Sequence, residues 1–542
     1  MSRSEPGGDW NILSPQRRLI FSLFPACERV LGFFVFGLAL ALYLRTLAPS
    51  ITWKNNGGDS GDLITAAFTG GIPHPPGYPL YTMLAGGFIA LPGGDVAYRV
   101  NLLSALSAAA TVLILFAIAR QWLDAGRIWR SAIAAASALL FATSSLFWSQ
   151  ATIAEVYSLN ALLVACAFGG LLLWSERIRI GQAADASRRL GQSVVAIAFG
   201  LGLAHHLTIL LLLPAAVVLL WRKARPVDLA KVAAVALVIS GLIYLTLLPR
   251  ALRDAPTSWG DIRSWDDFWW LVSAQIYHNY LFGLPWIDYL TRLSAWAKSL
   301  FDQFGIIGVA IGMWGSLHLY FRDQRVGFAV GSTFVAYTLF AIVYSPGDSY
   351  VYLIPAYLVF TLAIAEGWAV LVVALQSRLP RSGWLTYGSY TAMACALFVL
   401  PLANGLANFS GMDQSQDTQA VDYAHQVFTI LPNDALVVPD NTDQVFALWY
   451  YRFVEHPESR VIVAVPGLLV YPWYRDRLTR QNPDWEWPDS QASTWDQFLR
   501  AVVVANIDRH AVFWTNRDSY FQQLFQFRPV GNLFQVQRAT QP

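Results

Sequence analysis

The feature that most limits what this sequence can fold into is a succession of long, nearly uncharged apolar runs. Crossing the ~30 Å hydrocarbon core of a bilayer takes about 20 residues of helix. About eleven runs qualify as candidate spans, at 28–47, 99–119, 131–149, 157–175, 193–206, 207–221, 231–249, 303–321, 326–344, 350–375 and 385–404. The pieces at 193–206 and 207–221 are individually too short, so they are expected to form a helical hairpin that stops short of one face, with His205 and His206 at its tip. The segment 78–92 is likewise short and reads as a re-entrant or interfacial helix. Arg3, Arg17, Arg18 and Arg29 precede or open the first run, which lacks a small-residue cleavage site. That run is therefore expected to be a retained first helix with a cytoplasmic N-terminus.

Charged residues make up 13% of the 542 and hydrophobic ones 55%, against about 25% charged in soluble domains. The net charge of +2 supplies no basic field for nucleic acid. Cys27, Cys166 and Cys395 have no paired spacing that would suggest a disulfide framework or a zinc site. The near-neutral total conceals a division. Residues 406–542 hold about 15 acids, 10 arginines and no lysine, which leaves residues 1–405 at about +7. The first part reads as a polytopic, mainly α membrane bundle and the second as a soluble α/β domain. Short strands are expected at Ala435–Val438, Arg460–Val465 and Val502–Ala505, with helices at Val445–Val454 and Thr494–Ala501. The aromatic stretch Trp473–Trp487 fits a binding surface or an edge resting on the membrane equally well. Asn408-Phe-Ser410 is formally a glycosylation sequon.

Short cytoplasmic loops accumulate Lys and Arg. Arg120/Arg127/Arg130, Arg177/Arg179/Arg188/Arg189, Arg222/Lys223/Arg225/Lys231, Arg322/Arg325 and Arg378/Arg381 fall in alternate loops, which places those loops inside. The segments 48–98, 150–156, the His205–His206 tip, 250–302, 345–350 and the C-terminal region then face outward.

The densest polar cluster is the first outward loop, from Trp53-Lys54-Asn55-Asn56-Gly57-Gly58-Asp59-Ser60-Gly61-Asp62 to Pro73-His74-Pro75-Pro76-Gly77-Tyr78-Pro79. Asp59 and Asp62 share one helix N-terminus if a helix starts near Ser60, where the backbone N–H groups favour negative charge; an ordinary cap is the competing reading. The glycines and prolines fix turns and permit close backbone approach. Glu155, His205, His206, Arg250, Arg253 and Asp348 are expected on the same side of the bilayer. Glu366, within a span, is expected to hydrogen-bond a neighbouring helix. Carboxylates and cations together suit group transfer from a lipid-phosphate donor: a hydroxyl acceptor needs a carboxylate base, and a departing phosphate needs Arg, Lys or His to stabilise its charge. Phosphate-loop, dinucleotide and His-Glu-x-x-His motifs do not occur in the sequence.

Gly58-Asp59-Ser60-Gly61-Asp62-Leu63-Ile64, Gly71-Ile72-Pro73-His74-Pro75-Pro76-Gly77-Tyr78-Pro79-Leu80-Tyr81, Ala97-Tyr98-Arg99-Val100-Asn101-Leu102, Ala154-Glu155-Val156-Tyr157-Ser158-Leu159-Asn160 and Gly202-Leu203-Ala204-His205-His206-Leu207-Thr208 resemble a family of multi-span bacterial proteins in the glycosyltransferase-C superfamily. A vertebrate endoplasmic-reticulum protein O-mannosyltransferase is related to that family. The resemblance implies a bacterial inner-membrane, inverting transferase that moves a sugar, plausibly mannose, from a polyprenyl-phosphate donor to a protein or cell-envelope glycan outside the cytoplasm. It implies no essential metal or other cofactor. The acid that activates the acceptor maps to Asp59 or Asp62, with Asp59 favoured because the family commonly has Glu where this protein has the shorter Asp62. His74, Arg99, His205 and His206 become the candidates for the donor phosphate. Glu155, Tyr78 and Asp348 become contacts to the acceptor or to the groups around it. The alternatives are a transporter or flippase of lipid-linked sugars, and a membrane-held binding module working through its C-terminal domain.

Overall fold

The computed structural model describes residues 26–178, 184–378, 384–489 and 494–539. Arg3, Arg17, Arg18, Arg179 and Arg381, used above for orientation, lie outside them. The main helices of the apolar part are α1 (Ala26–Arg45), α2 (Ser60–Thr69), α3 (Pro79–Ile89), α4 (Val96–Trp122), α5 (Arg127–Ala142), α6 (Ser145–Ala151), α7 (Tyr157–Trp174), α8 (Ala184–Leu203), α9 (Leu213–Leu220), α10 (Pro226–Tyr244), α11 (Trp286–Arg322), α12 (Gln324–Val343), α13 (Ile354–Gln376) and α14 (Trp384–Met412).

Each predicted run folds as helix, but among the described residues seven helices are long and apolar enough to cross a membrane: α4, α7, α10 with its continuation, α11, α12, α13 and α14. The α5–α6 pair, bent by 69°, makes an eighth if it is one span. Of the other three runs, α1 and α8 are 20-residue helices whose apolar stretch is cut short by Glu28, Arg29 and Arg45 or by Asp185, Arg188 and Arg189. The third, 207–221, is a 3-10 turn, Leu207–Leu212, followed by the eight-residue α9. It follows α8 directly, with His205 and His206 at the joint, but α9 packs on α12 and α7 rather than back along α8 as a hairpin would. The segment 78–92 holds only the 11-residue α3.

The core is built by close helix approach. A methyl group on Gly315 would overlap the Ala363 and Gly367 backbones, and one on Gly367 would overlap the Ile311 carbonyl. Small residues on α11 and α13 thus let the two backbones meet, which is how membrane helices gain packing energy without a hydrophobic driving force. The helix α11 starts at Trp286, well before the predicted span at 303, and turns at Gly305 (φ 63°). Loops expected on one side of the membrane also contact one another. Glu28 pairs with Arg120 and with Arg127 (2.6 Å), Arg177 with Asp323 (2.8 Å), and Arg325 donates to the Trp221 carbonyl (3.1 Å). Glu366 ties α13 to α11 through His318 (2.8 Å) and Arg322 (3.1 Å).

The sequence boundary at 405 falls inside α14, which runs on to Met412. Asn408 lies in that helix, its amide donating to the Thr143 carbonyl at 2.9 Å. Beyond it come α15 (Gln419–Ile430), α16 (Thr442–Tyr450), α17 (Pro472–Gln481) and α18 (Trp495–Asn506), with a five-stranded sheet ordered β2-β1-β3-β5-β4. The strands are β1 (Leu436–Val438), β2 (Ile462–Val463), β3 (Val512–Trp514), β4 (Phe525–Val530) and β5 (Leu533–Arg538). β1 pairs in parallel with β2 and β3, while β5 runs antiparallel to β3 and β4. The segment Val502–Ala505, expected as a strand, belongs to α18. Phe498, Leu499, Val502 and Val503 are all buried, at the i, i+4 spacing of one helix face. The hairpin β4–β5 went unread, although Gly531-Asn532 with Gly531 at φ 60° is a two-residue turn signal.

Candidate active site

The long loop that follows α1 folds back on itself to bring its polar residues together. Asn55 and Asn56 take left-handed conformations (φ 59° and 58°) that asparagine tolerates, and a 3-10 turn, Lys54–Asp59, leads into α2. Gly70 at φ 73° ends that helix. The backbone then returns along segment 257–259: Trp259 N donates to the Ile72 carbonyl at 2.9 Å. This places His74 over the first turn of α2.

There the two acids part company. Asp62 is fully buried and accepts from the His74 backbone N–H (2.8 Å), His74 Nδ1 (2.8 Å) and Trp259 Nε1 (3.3 Å). Its oxygens are committed to orienting His74. Asp59 stands at the N-cap position but makes no capping hydrogen bond, which removes the ordinary-cap reading. Its side chain is 43% accessible and its Oδ2 lies 3.7 Å from His74 Nε2. The array runs Asp62–His74–Asp59, with the last carboxylate free toward a cavity of about 830 Å3. Burial raises the Asp59 carboxyl to about 6, His74 pulling against it and Asp348, Asp62 and Asp443 adding to it. For His74 burial works downward, but Asp59 and Asp62 outweigh it and push the imidazole up to about 9.

The joint that follows α8 adds His206 and Thr208 to the lining. His206 lines the cavity among Tyr78, Tyr157 and Tyr352, whose ring centroids lie 6.2, 6.0 and 5.6 Å from its own. Its Nδ1 accepts from Thr208 Oγ1 (2.7 Å) and more distantly from Thr208 N (3.4 Å). The backbone N–H can only donate, so the ring proton resides on Nε2. Thr208 Oγ1 in turn receives Asn160 Nδ2 at 3.4 Å. Asp348 also lines the cavity, accepting from the Tyr157 hydroxyl at 2.9 Å.

Three predicted residues stand elsewhere. Arg99 spends its guanidinium on the Ile89 (2.7 Å) and Leu91 (2.6 Å) carbonyls past the end of α3, so it is not positioned to meet a phosphate in the cavity. His205 lies within hydrogen-bond distance of the Val156 carbonyl (Nε2–O 2.9 Å) and stacks on Tyr81; it anchors the joint. Glu155 is buried behind the cavity, where Oε2 accepts from Val156 N at 3.3 Å and Oε1 has no partner among the described residues. Burial raises its carboxyl. Arg250 donates to Thr82 Oγ1 (2.6 Å). Among the described lining residues there is no Lys or Arg, and among the described residues no group of three His, Cys, Asp or Glu side chains is arranged to hold a metal ion.

Sequence reasoning missed the contribution of the C-terminal region. Asp443 and Phe446 of α16 line the cavity, and Trp53 Nε1 donates to the Asp443 carbonyl at 3.1 Å. A methyl group on Gly61 would overlap the Phe446 backbone, and one on Gly58 the Asp443 side chain. These two glycines make room for α16. The stretch from Trp473 packs inward: Arg477 sits against Trp473 and donates to the Ser258 and Gly260 carbonyls (3.0 Å to the latter) on either side of Trp259.

Residues 59–228 match the family model of the Protein O-mannosyl-transferase TMEM260 N-terminal domain. The protein O-mannosyl-transferase TMEM260 of Mus musculus is 28% identical over 87% of this chain and 67% of its own length. That of Dictyostelium discoideum is 25% identical over 80% of this chain and 57% of its own; the protein thus spans roughly three fifths to two thirds of these relatives. Among solved structures, ArnT from Cupriavidus metallidurans bound to undecaprenyl phosphate superposes with a TM-score of 0.57 at 14% identity, covering 96% of this chain and 98% of that one. The Archaeoglobus fulgidus oligosaccharyltransferase gives 0.51 at 14% identity over 89% and 68%. In sequence this protein is thus similar to the TMEM260 protein O-mannosyl-transferases, and it shares its fold with ArnT and the oligosaccharyltransferase.

Proposed function

We propose that this membrane protein transfers a sugar, mannose in the first instance, from a polyprenyl-phosphate donor to a protein hydroxyl on the extracytoplasmic side, with Asp59 as general base. The observation that carries this reading is the Asp62–His74–Asp59 array at a cavity with two unlike walls. Leu207, Leu210, Leu211, Ile276, Leu281 and Phe340 form an apolar side suited to a lipid tail, and Trp53, Asn56, Thr442 and Asp443 form a polar side open to an acceptor.

In the step we infer, the acceptor oxygen bonds to the sugar's anomeric carbon and gives its proton to Asp59. The bond from that carbon to the phosphate oxygen breaks, and the lipid phosphate leaves with the electron pair. An in-line displacement sets base and leaving group on opposite faces of the carbon, so inversion results. His74, 3.7 Å from Asp59, belongs to the base: as imidazolium it favours the carboxylate at Asp59. The leaving phosphate falls to His206 Nε2–H and the tyrosines around it, while Asp348 and Tyr78 are placed to contact sugar hydroxyls. The test is labelled sugar transfer in proteoliposomes from a polyprenyl-phosphate mannose to a Ser/Thr peptide. Asp59→Asn should lose about 10²–10⁴-fold in rate; full transfer by that variant would overturn the assignment.

A further inference from the structure

Trp53 borders two spaces. Beside the main cavity lies a shallower cleft of about 510 Å3, walled by Trp53, Asp417 and the α15 residues Gln419, Asp422, Tyr423 and Gln426. The last four stand at i, i+3, i+4 and i+7, one stripe of the helix. The Tyr423 ring centre is 5.2 Å from that of Trp53. Asp417 is tied to the loop that follows α1 through Thr52 and Lys54 (3.6 Å). Among the described residues neither the Gln419 nor the Gln426 carboxamide has a hydrogen-bond partner.

We propose that this cleft binds the acceptor polypeptide to one side of its reacting hydroxyl, the peptide crossing Trp53 to reach Asp59; the inference rests on the transfer reading above. A carboxamide offers both a donor and an acceptor, so it can pair with backbone C=O and N–H groups whatever the peptide's side chains. Such a wall favours an extended backbone and tolerates varied sequence. From Gln419 to Gln426 the stripe is about 10 Å long at ~1.5 Å per helical residue. An extended peptide rising ~3.3 Å per residue would lay about three residues along it.

The experiment compares two fluorescent peptides on the purified full-length protein by anisotropy: a minimal Ser/Thr acceptor, and the same acceptor extended by about three residues toward the cleft. The extended peptide should bind about tenfold tighter, as two net hydrogen-bonding contacts allow. In the double variant Gln419→Ala/Gln426→Ala the two peptides should bind alike, and Asp422→Ala should remove part of the gain. Equal binding to the wild type, or an advantage that survives in the double variant, overturns the inference. A peptide that shows the advantage but receives no sugar would sink the transfer reading and leave the cleft standing.

Discussion

His74 and His206 line one cavity, their ring centroids 5.3 and 6.2 Å from that of Tyr78, and are wired in opposite ways. His74 lies between two carboxylates, Asp62 on Nδ1 and Asp59 near Nε2. His206 is held by a threonine hydroxyl that spends its proton on Nδ1. The same residue type is thereby a cation on one wall and a neutral N–H donor on the other, and the partner decides which. A base needs a nearby positive charge to remain ionised, whereas a leaving phosphate can be met by a fixed dipole.

The largest test of this contrast is on the acid wall. Asp59→Asn is expected to lose about 10²–10⁴-fold in transfer, whereas Asp62→Asn should cost about 10- to 100-fold, because His74 loses its charged partner but the base remains. Equal losses in labelled transfer would merge the two acids into one role. The pH profile sharpens the same point. With Asp59 as the base proposed above, the rate should rise about tenfold per unit until about pH 6, where that group titrates. With His74 as the imidazolium beside that base, the rate should fall above about pH 9. His74→Gln should remove the upper limb. On the neutral wall, Thr208→Val should lower the rate about three- to tenfold by freeing the His206 ring, and Thr208→Ser should restore it; a loss that serine does not rescue would mean packing rather than the proton on Nε2. The smallest effect belongs to Arg99, whose guanidinium serves helix-end carbonyls. Arg99→Ala should cost about 1–2 kcal/mol of thermal stability while transfer by the folded fraction persists.

Much of the acid wall was legible. Asp59, Asp62 and His74 lie within one stretch whose glycines and prolines announce tight turns, and a folded loop can bring residues that close in sequence into contact. The His205–His206 joint was legible for a similar reason: two runs too short to span meet at a polar break. What the sequence could not say is which histidine of the pair faces inward. His205 and His206 are adjacent, yet one bonds the Val156 carbonyl and the other lines the cavity. Arg99 was drawn to the phosphate by charge and position alone; three carbonyls lie within its reach in the fold.

A membrane bundle and the loop that carries the acids could be read along the chain, because apolar length and the spacing of polar residues are one-dimensional quantities. Only the tertiary structure decided that Asp62 supports while Asp59 faces the cavity, that Gly58 and Gly61 make room for α16, and that Asp443 and Phe446 complete the lining from nearly four hundred residues away. Those facts depend on which backbone groups are left needing a partner once the helices pack, and no local pattern records that.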